Sequence, residues 1–478
     1  MFSFIISIIV LILAYFTYSK FADKIFGTDD RLTPAMEFND GVDRVPMNKF
    51  KLFLIQLLNI AGTGPIFGAL MGAVFGPVVF LWIVLGSILG GAVHDFMTGM
   101  ISSRHNGDSI ATLSGIYLGN VMKWVMRGFS ILLLILVGTV FITSPANLLA
   151  NLTPDSLDAS FWIIVIIAYY IIATLVPIDK IIGKLYPIFG IILILMALSI
   201  AIGIMFNSKY EIPELVLNNL HPDNLPVWPF MFITVACGAI SGFHATQSPM
   251  VAKCIKSEKE GRFIFYGAMI AEAVIALVWA AAGVAFYGTT QLLNDALNNL
   301  GQSGVVYDIS TKLLGTAGGI LAIVGVIICP ITSGDTAFRG ARLICAEIIK
   351  LDQSKIKNRL IISIPLFLIG GLLTQLNFDI LWRYFSWSNQ TLAMIALWVS
   401  TAYLIKKAKH KFASFITAIP AVFMSAVSMT YILMAKEGFR LSKSVSYTIG
   451  ILFALISFVY YLYVMYKNNK FSKSVVMD

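Results

Sequence analysis

One carboxyl group stands in the middle of a long apolar segment. Glu272 lies in YGAMIAEAVIALVW (266–279), and no Lys, Arg or His stands three or four positions from it. An ionisable side chain at the centre of a bilayer costs at least roughly 2.5 kcal/mol, so it is a functional candidate by default. We predict that Glu272 takes up and releases a coupling proton. The alternative is a neutral side chain that hydrogen-bonds a neighbouring helix and only stabilises the bundle.

Two apolar segments are interrupted by Gly, Pro and hydroxyl residues, in LNIAGTGPIFG (58–68) and ACGAISGFHATQSPMV (236–251). Hydrocarbon offers no water to such groups, so they either line a cavity within the protein or merely kink and pack helices. An unwound backbone exposes carbonyl and N–H groups that can bind an ion or a polar substrate. The predicted substrate-binding residues are Asn59, Gly62, Thr63, Gly64, Ser241, Gly242, His244, Thr246 and Gln247.

Further charged side chains occur at membrane depth. Asp335 and Arg339 are four residues apart on one helical face, so they can pair as a structural contact or as an inner gate. Asp335 is also a proton-coupling candidate.

Asp95 follows His94, but adjacent helical residues point in different directions and no nucleophile accompanies them. We therefore predict a proton relay or a packing contact here rather than a catalytic role, and Asp95 is a stronger candidate than His94.

An amide pair opens a late apolar segment, in SWSNQTLA (386–393). Asn389 and Gln390 can donate to and accept from peptide groups, which makes them candidate substrate-binding residues. The alternative is that they cap the helix and hydrogen-bond its neighbours.

Composition indicates the elements that must position these residues. The chain has 478 residues, of which 58% are hydrophobic and 12% charged, and its mean hydropathy is +0.84. Soluble domains are about 25% charged, so this is an integral membrane protein. A transmembrane helix needs about 20 apolar residues. By that criterion we predict thirteen spans, at 2–19, 50–75, 77–103, 126–150, 160–177, 184–206, 228–252, 262–288, 316–338, 358–376, 385–405, 412–434 and 445–466.

The positive charges test this count. When the loops are assigned alternately to two sides, 28 of the 34 Lys and Arg residues fall on one side. That side is predicted to be cytoplasmic, with the N-terminus outside and the C-terminus inside. The net charge of +9 is explained by this bias and by contact with anionic lipid, so no nucleic-acid partner is needed.

The arrangement of the spans indicates inverted symmetry. The two interrupted spans lie five apart, so they enter the membrane from opposite faces, which is a pointer to a transporter's binding site. Short amphipathic helices are predicted at 109–119 and 305–315, one on each face. We predict an N-terminal helix and a cytoplasmic loop in 1–49, five-helix repeats in 50–206 and 207–405, and two more helices in 406–478.

Several classes of function lack their motifs. The four cysteines are not spaced as a zinc site, so we predict no metal and no cofactor. No G-x-x-x-x-G-K-[ST] sequence is present, so ATP is not expected to drive transport. We also find no nucleophile and base that would support a membrane enzyme.

Seven sequence pieces resemble the carbon starvation protein A family of bacterial inner-membrane transporters. They are RVPMNKF, IAGTGPIFG, GAVHDFMTGMISSRHNG, CGAISGFHATQSP, GAMIAEA, PITSGDTAFRGAR and SNQTLAMIALW, which together run from Arg44 to Trp398. Longer members of that family carry more C-terminal helices than this chain.

This resemblance implies a LeuT-type fold of two inverted five-helix repeats, and uptake of peptides or, in some members, of pyruvate with protons. In that fold, hydroxyl groups of the eighth helix face the break of the first and form a sodium site. The resemblance therefore suggests Ala61, Thr332 and Ser333 as sodium ligands.

The leading hypothesis is a secondary transporter that imports small peptides with protons. Alternatives within the same class are a symporter of pyruvate, another small carboxylate or an amino acid, and a sodium-coupled transporter. An ion channel or a nutrient sensor is a further possibility, but no repeated pore motif and no signalling domain supports either. The oligomeric state is left open by the sequence.

Overall fold

The chain folds into a bundle of helices. The structure, a computed structural model, describes residues 1–39, 44–175, 178–353, 355–408 and 410–474, and the regular elements of this part are all helical. The α-helices are α1 (Phe2–Phe16), α2 (Tyr18–Phe26), α3 (Pro34–Glu37), α4 (Lys49–Ala61), α5 (Ala69–Ala73), α6 (Val79–Leu85), α7 (Ala92–Arg104), α8 (Ile110–Leu118), α9 (Asn120–Leu152), α10 (Ala159–Leu175), α11 (Ile178–Phe206), α12 (Val227–Thr234), α13 (Gly242–Ala252), α14 (Gly267–Tyr287), α15 (Thr290–Ile349), α16 (Ile356–Leu373), α17 (Phe378–Lys407), α18 (Phe415–Met434) and α19 (Lys443–Ser474). Short π-helical turns occur at Gly64–Gly68, Gly86–Gly91 and Arg262–Tyr266, and 3₁₀ turns at Glu258–Glu260 and Lys411–Ser414.

Ten of the thirteen predicted spans have the length and composition of a membrane helix. Among the described residues, 9 helical stretches pass this test, and the bent pair formed by α4 and α5 makes a tenth. The other three predicted spans fall on α10, on the α12–α13 pair and on α17, and residues 176–177 of the first lie outside the described part. The total of thirteen stays a prediction.

Helices extend beyond several predicted apolar boundaries. The N-terminal helix was expected to end at 19 but continues, with an irregularity at Thr17, to Phe26. The span predicted at 316–338 continues in α15 to Ile349. Hydropathy marks only the part of a helix that matches hydrocarbon, so polar turns at either end are missed.

Helices are present at both places where a short amphipathic one was predicted, and their position at the membrane surface stays a prediction. The first is α8, and the second is the middle segment of α15, between bends at Gly301 and Gly315. These glycines have φ values of 67° and 68°, in the left-handed region that favours glycine.

Burial separates a central group of helices from a peripheral one. Most residues of α4, α7, α13 and α14 are buried, and these include the polar residues Asn59, Asp95, His244 and Glu272. In contrast, α1, α16 and α19 keep exposed apolar side chains along their outer faces, among them Ile6, Leu13, Ile361, Leu368 and Ile456. Central helices that are buried on all sides, surrounded by helices with exposed apolar faces, are the arrangement expected for a protein in lipid.

Segments that the distribution of Lys and Arg assigns to the same side of the membrane contact each other. At the start of α1, the N–H groups of Phe2 and Ser3 donate to Glu214, at 2.8 and 2.9 Å. Beyond the other end of the 25-residue helical stretch Phe2–Phe26, the Thr33 hydroxyl donates to the carbonyl of Ile255 at 2.6 Å. The two groups of loops therefore lie at opposite ends of the bundle.

Candidate functional site

The first interrupted segment is broken between α4 and α5. Gly62 has φ 52° and ψ −140°, a conformation open mainly to glycine, and a Cβ there would overlap the ring of Phe141. The chain resumes in the π-helical turn Gly64–Gly68 after a change of direction of 56°. Pro65, at the start of this turn, has no N–H group that would be left unpaired. The local sequence therefore breaks the helix at the predicted residues.

The second interrupted segment has a longer break. Helix α12 ends at Thr234, α13 begins at Gly242, and residues 235–241 between them are not helical. Gly238, with φ 85°, turns the chain within this stretch. Ser241, in an extended conformation, precedes the first turn of α13. The N–H groups of that turn have no partner within the helix and carry the positive end of a helix dipole.

The two breaks pack directly against each other. A Cβ added to Gly64 would overlap Cys237, and a Cβ added to Gly238 would overlap Ala276 and lie 3.6 Å from Pro65. Small residues at these positions let the two unwound backbones approach closely. The two breaks thus meet in one region of the bundle.

Asn389 of α17 holds the start of α13. Its Oδ1 accepts hydrogen bonds from the Phe243 N–H at 2.7 Å and from the Ser241 hydroxyl at 3.1 Å. All three residues are buried. The amide therefore caps the helix end from a neighbouring helix.

The next residue along α17 holds the end of α12. Gln390 Nε2 donates to the carbonyl groups of Phe232 and Val235, at 3.2 and 3.4 Å. Two side chains near the break add to this, since the Ser87 hydroxyl donates to the Gly238 carbonyl at 2.8 Å and the Trp82 indole to that of Val235 at 3.4 Å. Carbonyls released by the break are thus paired within the protein, as burial requires.

A chain of ionisable side chains lies beside the second break. The two oxygens of Asp95 lie 2.8 Å from His94 Nδ1 and 2.8 Å from His244 Nδ1, and His244 Nε2 lies 3.3 Å from Glu272 Oε2. All four side chains are 0% exposed. They come from α7, α13 and α14, so three separate helices meet at this cluster.

Part of this cluster has no hydrogen-bond partner. Neither oxygen of Glu272 makes a hydrogen bond of good geometry, and the same is true of Nε2 in His94 and in His244. Buried polar atoms without partners are costly, which makes the cluster a candidate for binding a proton or a cation. Ligand atoms of Cys237, His244 and Glu272 also lie within 4.8 Å of one another, and the absence of a metal stays a prediction.

Two acceptors at the first break are also unpaired. Asn59 Oδ1 and Thr63 Oγ1 are buried and have no hydrogen-bond partner. Both lie within four residues of the Gly62 turn. Both oxygens can accept hydrogen bonds from a ligand.

The family of the chain follows from a comparison with family models. The model described as carbon starvation protein CstA matches residues 1–220, 146–303 and 296–431. The chain belongs to the CstA family. This confirms the resemblance drawn from the seven sequence pieces.

Curated relatives of this CstA-family chain include named transporters. An uncharacterized membrane protein of Haemophilus influenzae is 44% identical, over 62% of this chain and 94% of its own length. The peptide transporter CstA of Campylobacter jejuni is 25% identical, over 93% of this chain and 82% of its own. The pyruvate/proton symporter BtsT of Escherichia coli is 29% identical, over 57% of this chain and 47% of its own.

Solved transporters share the fold. MhsT in complex with L-phenylalanine superposes with a TM-score of 0.55 at 14% identity, over 87% of this chain and 98% of that one. Mhp1, a nucleobase-cation-symport-1 family transporter, gives 0.54 at 14% identity, over 88% and 92%. The CstA-family chain therefore has the predicted all-helical, LeuT-like fold. It is a multi-pass membrane transporter rather than an enzyme.

The residues suggested as sodium ligands differ in their contacts. The Ser333 hydroxyl donates to the Leu58 carbonyl of α4 at 2.8 Å, whereas the Thr332 hydroxyl donates to the Ile328 carbonyl of its own helix at 3.0 Å. Ala61 is the last residue of α4 and is buried. Ser333 thus reaches the first broken helix of the CstA-family chain, and Thr332 is turned back onto α15.

The gate candidates form a group of their own. Arg339 Nη2 lies 3.5 Å from Asp335 Oδ2 and donates to the Ala173 carbonyl at 3.1 Å. The Tyr186 hydroxyl is 3.5 Å from the same Asp335 oxygen. Both charged residues are buried, so the predicted pairing of Asp335 with Arg339 is present, at the long end of ion-pair distances.

The remaining candidates lie along α13. The Thr246 hydroxyl donates to the Phe243 carbonyl at 2.6 Å and accepts from Gln247 Nε2 at 3.0 Å. Thr246 also lines a cavity of about 450 Å³ together with Lys253, towards the end of α13 distant from the break. At Gly242 a Cβ would overlap the backbone of α17, so this glycine permits close helix packing.

One expectation about the charged residues was wrong. His94 and Asp95 were expected to point apart, yet their side chains lie 2.8 Å from each other. Side-chain rotation brings Nδ1 of the ring, its nitrogen nearest the backbone, to the neighbouring carboxylate. The His244 partner of Glu272 was also missed, because it comes from another helix and no spacing rule along α14 could reveal it.

Proposed function

We propose that this CstA-family chain imports small peptides across the bacterial cytoplasmic membrane by alternating access, with a proton as the coupling ion. The observation that carries the proposal is the buried chain of Asp95, His244 and Glu272 beside the two breaks. Peptide transporters and a pyruvate/proton symporter among the relatives support it.

The coupling follows from which helices hold the charged groups. His244 belongs to the half-helix that begins at the second break, whereas Asp95 and Glu272 belong to α7 and α14. A shift of α13 therefore changes both contacts of the imidazole together. Proton binding and the position of α13 are then linked, because each state of the cluster favours one arrangement of the half-helix.

The substrate is proposed to bind between the breaks. The unpaired oxygens of Asn59 and Thr63 can accept from peptide N–H or amino groups. The first turn of α13, from Gly242, directs N–H groups at a carboxylate. Asn389 and Gln390 keep both ends of the second break in place. Gly62, Gly64 and Ser241 shape the same space. Thr246 lines the cavity of about 450 Å³ near the far end of α13, and Gln247 donates to its hydroxyl.

Symport of pyruvate or another small carboxylate is the second candidate. It is favoured by the relationship to the symporter BtsT and requires the same proton cluster. In both cases we propose the predicted orientation, with the C-terminus inside, and the predicted repeat boundaries. A secondary role in coupling is proposed for Asp335, which is buried beside Arg339.

The test is internal pH in proteoliposomes. Dipeptides, tripeptides or pyruvate are added outside the vesicles, with and without sodium, to the wild type and to Glu272→Gln. Glu37→Gln, at an exposed position, is the matched control. We expect peptide-driven acidification without sodium, lost in Glu272→Gln and retained in Glu37→Gln.

A second readout separates coupling from folding. Glu272→Gln should still exchange labelled substrate across the membrane in counterflow, because exchange needs no net proton movement. Acidification by pyruvate alone would keep the mechanism and change the substrate. Accumulation that needs a sodium gradient and shows no pH response would contradict the role of Glu272 and move coupling to Ala61, Thr332 and Ser333.

A further inference from the structure

A second cavity leads towards the breaks from the opposite end of the bundle. Its volume is about 590 Å³, and it is lined by the first turns of α17 and by the loop that follows α18. Met71 of α5, and Ile233 and Thr234 at the end of α12, also line it. A solute in this cavity therefore lies against the two half-helices that run into the binding site.

Three hydrogen-bond donors of α17 that line this cavity make no well-formed hydrogen bond. They are the Trp382 indole Nε1, Arg383 Nε and the Ser386 hydroxyl. Trp382 and Ser386 are each 1% exposed. Trp382 and Arg383 precede Ser386 by four and three positions, so each lies next to Ser386 on the helix surface. Buried donors without acceptors are costly, and three of them together indicate an acceptor that binds from outside the chain.

The arginine has a loose internal partner. Arg383 Nε lies 3.3 Å from Glu437 Oε2, whereas well-formed pairs of this kind are at about 2.7–2.9 Å. Glu437 is nearly buried, with a side chain 6% exposed, and the Tyr431 hydroxyl donates to its other oxygen. The Arg383 side chain is 41% exposed. The carboxylate is thus held in place while the arginine remains accessible.

We propose that this cavity is an entry site for the substrate's carboxylate, which replaces Glu437 on Arg383 and accepts from Trp382 and Ser386. The ligand class is a small carboxylate or the C-terminal carboxylate of a short peptide. The proposal rests on the proposed function for the identity of the solute. It differs in naming a recognition site outside the two breaks.

An acidic group in the same cavity fits the other end of a peptide. Asp379 and Asp223 line the cavity, and Asp379 Oδ1 accepts from Gln302 Nε2 at 3.0 Å. A protonated amino group can bind there while the carboxylate binds Arg383. A dipeptide therefore uses both charges, and pyruvate uses one.

Substitutions of the two partners should act in opposite directions. Arg383→Gln removes the receptor for the carboxylate, so we expect the KM for uptake to rise about tenfold or more. Glu437→Gln removes the internal competitor, so KM should fall. Arg440→Gln, an exposed arginine in the same loop as Glu437, should change neither. A pair with a purely structural role would impair uptake in both partner variants, and that result would overturn the proposal.

Binding to the wild-type protein gives an independent measurement. The full-length chain in detergent is titrated with dialanine, dialanine amide and pyruvate by calorimetry. Dialanine and pyruvate should bind, and the amide should bind about tenfold more weakly because it lacks the carboxylate. Equal binding of dialanine and its amide would contradict the proposal even if Arg383→Gln fails to fold.

The two proposals fail in distinguishable ways. If carboxylates bind with the expected dependence on Arg383 and Glu437 but no uptake occurs, transport is refuted and the entry site stands. If uptake occurs with unchanged KM in both variants, the entry site is refuted and transport stands.

Discussion

The two breaks have opposite relationships to the protein around them. The first interrupts the helix for only Gly62 and Thr63, and oxygens of Asn59 and Thr63 beside it have no partner. The second extends over residues 235–241. Its released backbone groups are bonded by side chains of α6, α17 and the π-helical turn Gly86–Gly91.

This difference assigns separate tasks to two segments that look alike in sequence. The first break leaves acceptors free, as a site for a ligand requires. The second is held by a frame of side chains that bond several of its released backbone groups, and His244 of the half-helix after it lies between Asp95 and Glu272. Substitutions should therefore reduce stability at the second break and mainly affect substrate affinity at the side chains of the first.

The largest effect is expected where the first break depends on backbone conformation. Gly62→Ala forces a side chain into φ 52° and against Phe141. Strained backbone costs about 1–3 kcal/mol and overpacking about as much again. We expect a sharp loss of monodisperse protein and a clearly lower Tm in detergent.

Gly128→Ala is the control for this change. A Cβ at Gly128, on the exposed face of α9, meets nothing within 4 Å, so Tm should not fall. Should Gly62→Ala prove as stable as the wild type, the first break would not depend on glycine.

A smaller loss of stability should test the frame around the second break. Asn389→Ala leaves the Phe243 N–H and the Ser241 hydroxyl without their acceptor. Loss of a buried cap of this kind costs about 1–3 kcal/mol. The measurement is the thermal unfolding midpoint, with Asn151→Ala at an exposed position of α9 as the control. Unchanged stability together with a raised KM would instead assign Asn389 to the substrate.

The smallest effect on stability is expected at Thr63. Thr63→Val keeps the side-chain shape and removes a buried hydroxyl that has no partner, so Tm should stay the same or rise slightly. The KM for peptide should rise several-fold if this hydroxyl contacts substrate, since one lost hydrogen bond is worth about 0.5–1.5 kcal/mol. A lower Tm with normal KM would show that Thr63 is structural and would remove the contrast between the breaks.

Local chemistry made much of this arrangement predictable. Gly62 and Pro65 mark the first break, and Ser241 and Gly242 lie at the end of the second, because only certain residues suit an interrupted helix. Hydropathy located the helices, and the isolated Glu272 stood out as a buried charge. All of these inferences need only neighbours along the chain.

Contacts between distant segments were not predictable in the same way. Asp95 and His244 are 149 positions apart, and helical spacing shows which face a residue occupies but not what faces it. The amides of Asn389 and Gln390 were equally consistent with binding substrate or bonding helices. Arg383 and Glu437 were missed because both lie at the ends of predicted spans, where charged residues indicate the orientation of the chain in the membrane and do not reveal a binding site.

Consecutive anchoring residues on α17 have a mechanical consequence. Asn389 and Gln390 are separated by about 1.5 Å along one rigid helix, yet they grip the two opposite ends of the second break. Any tilt or rotation of α17 therefore displaces both ends by nearly equal amounts. The distance across the break therefore stays nearly constant when α17 moves. A conformational change then alters the orientation of α12 and α13 rather than the length of the segment between them.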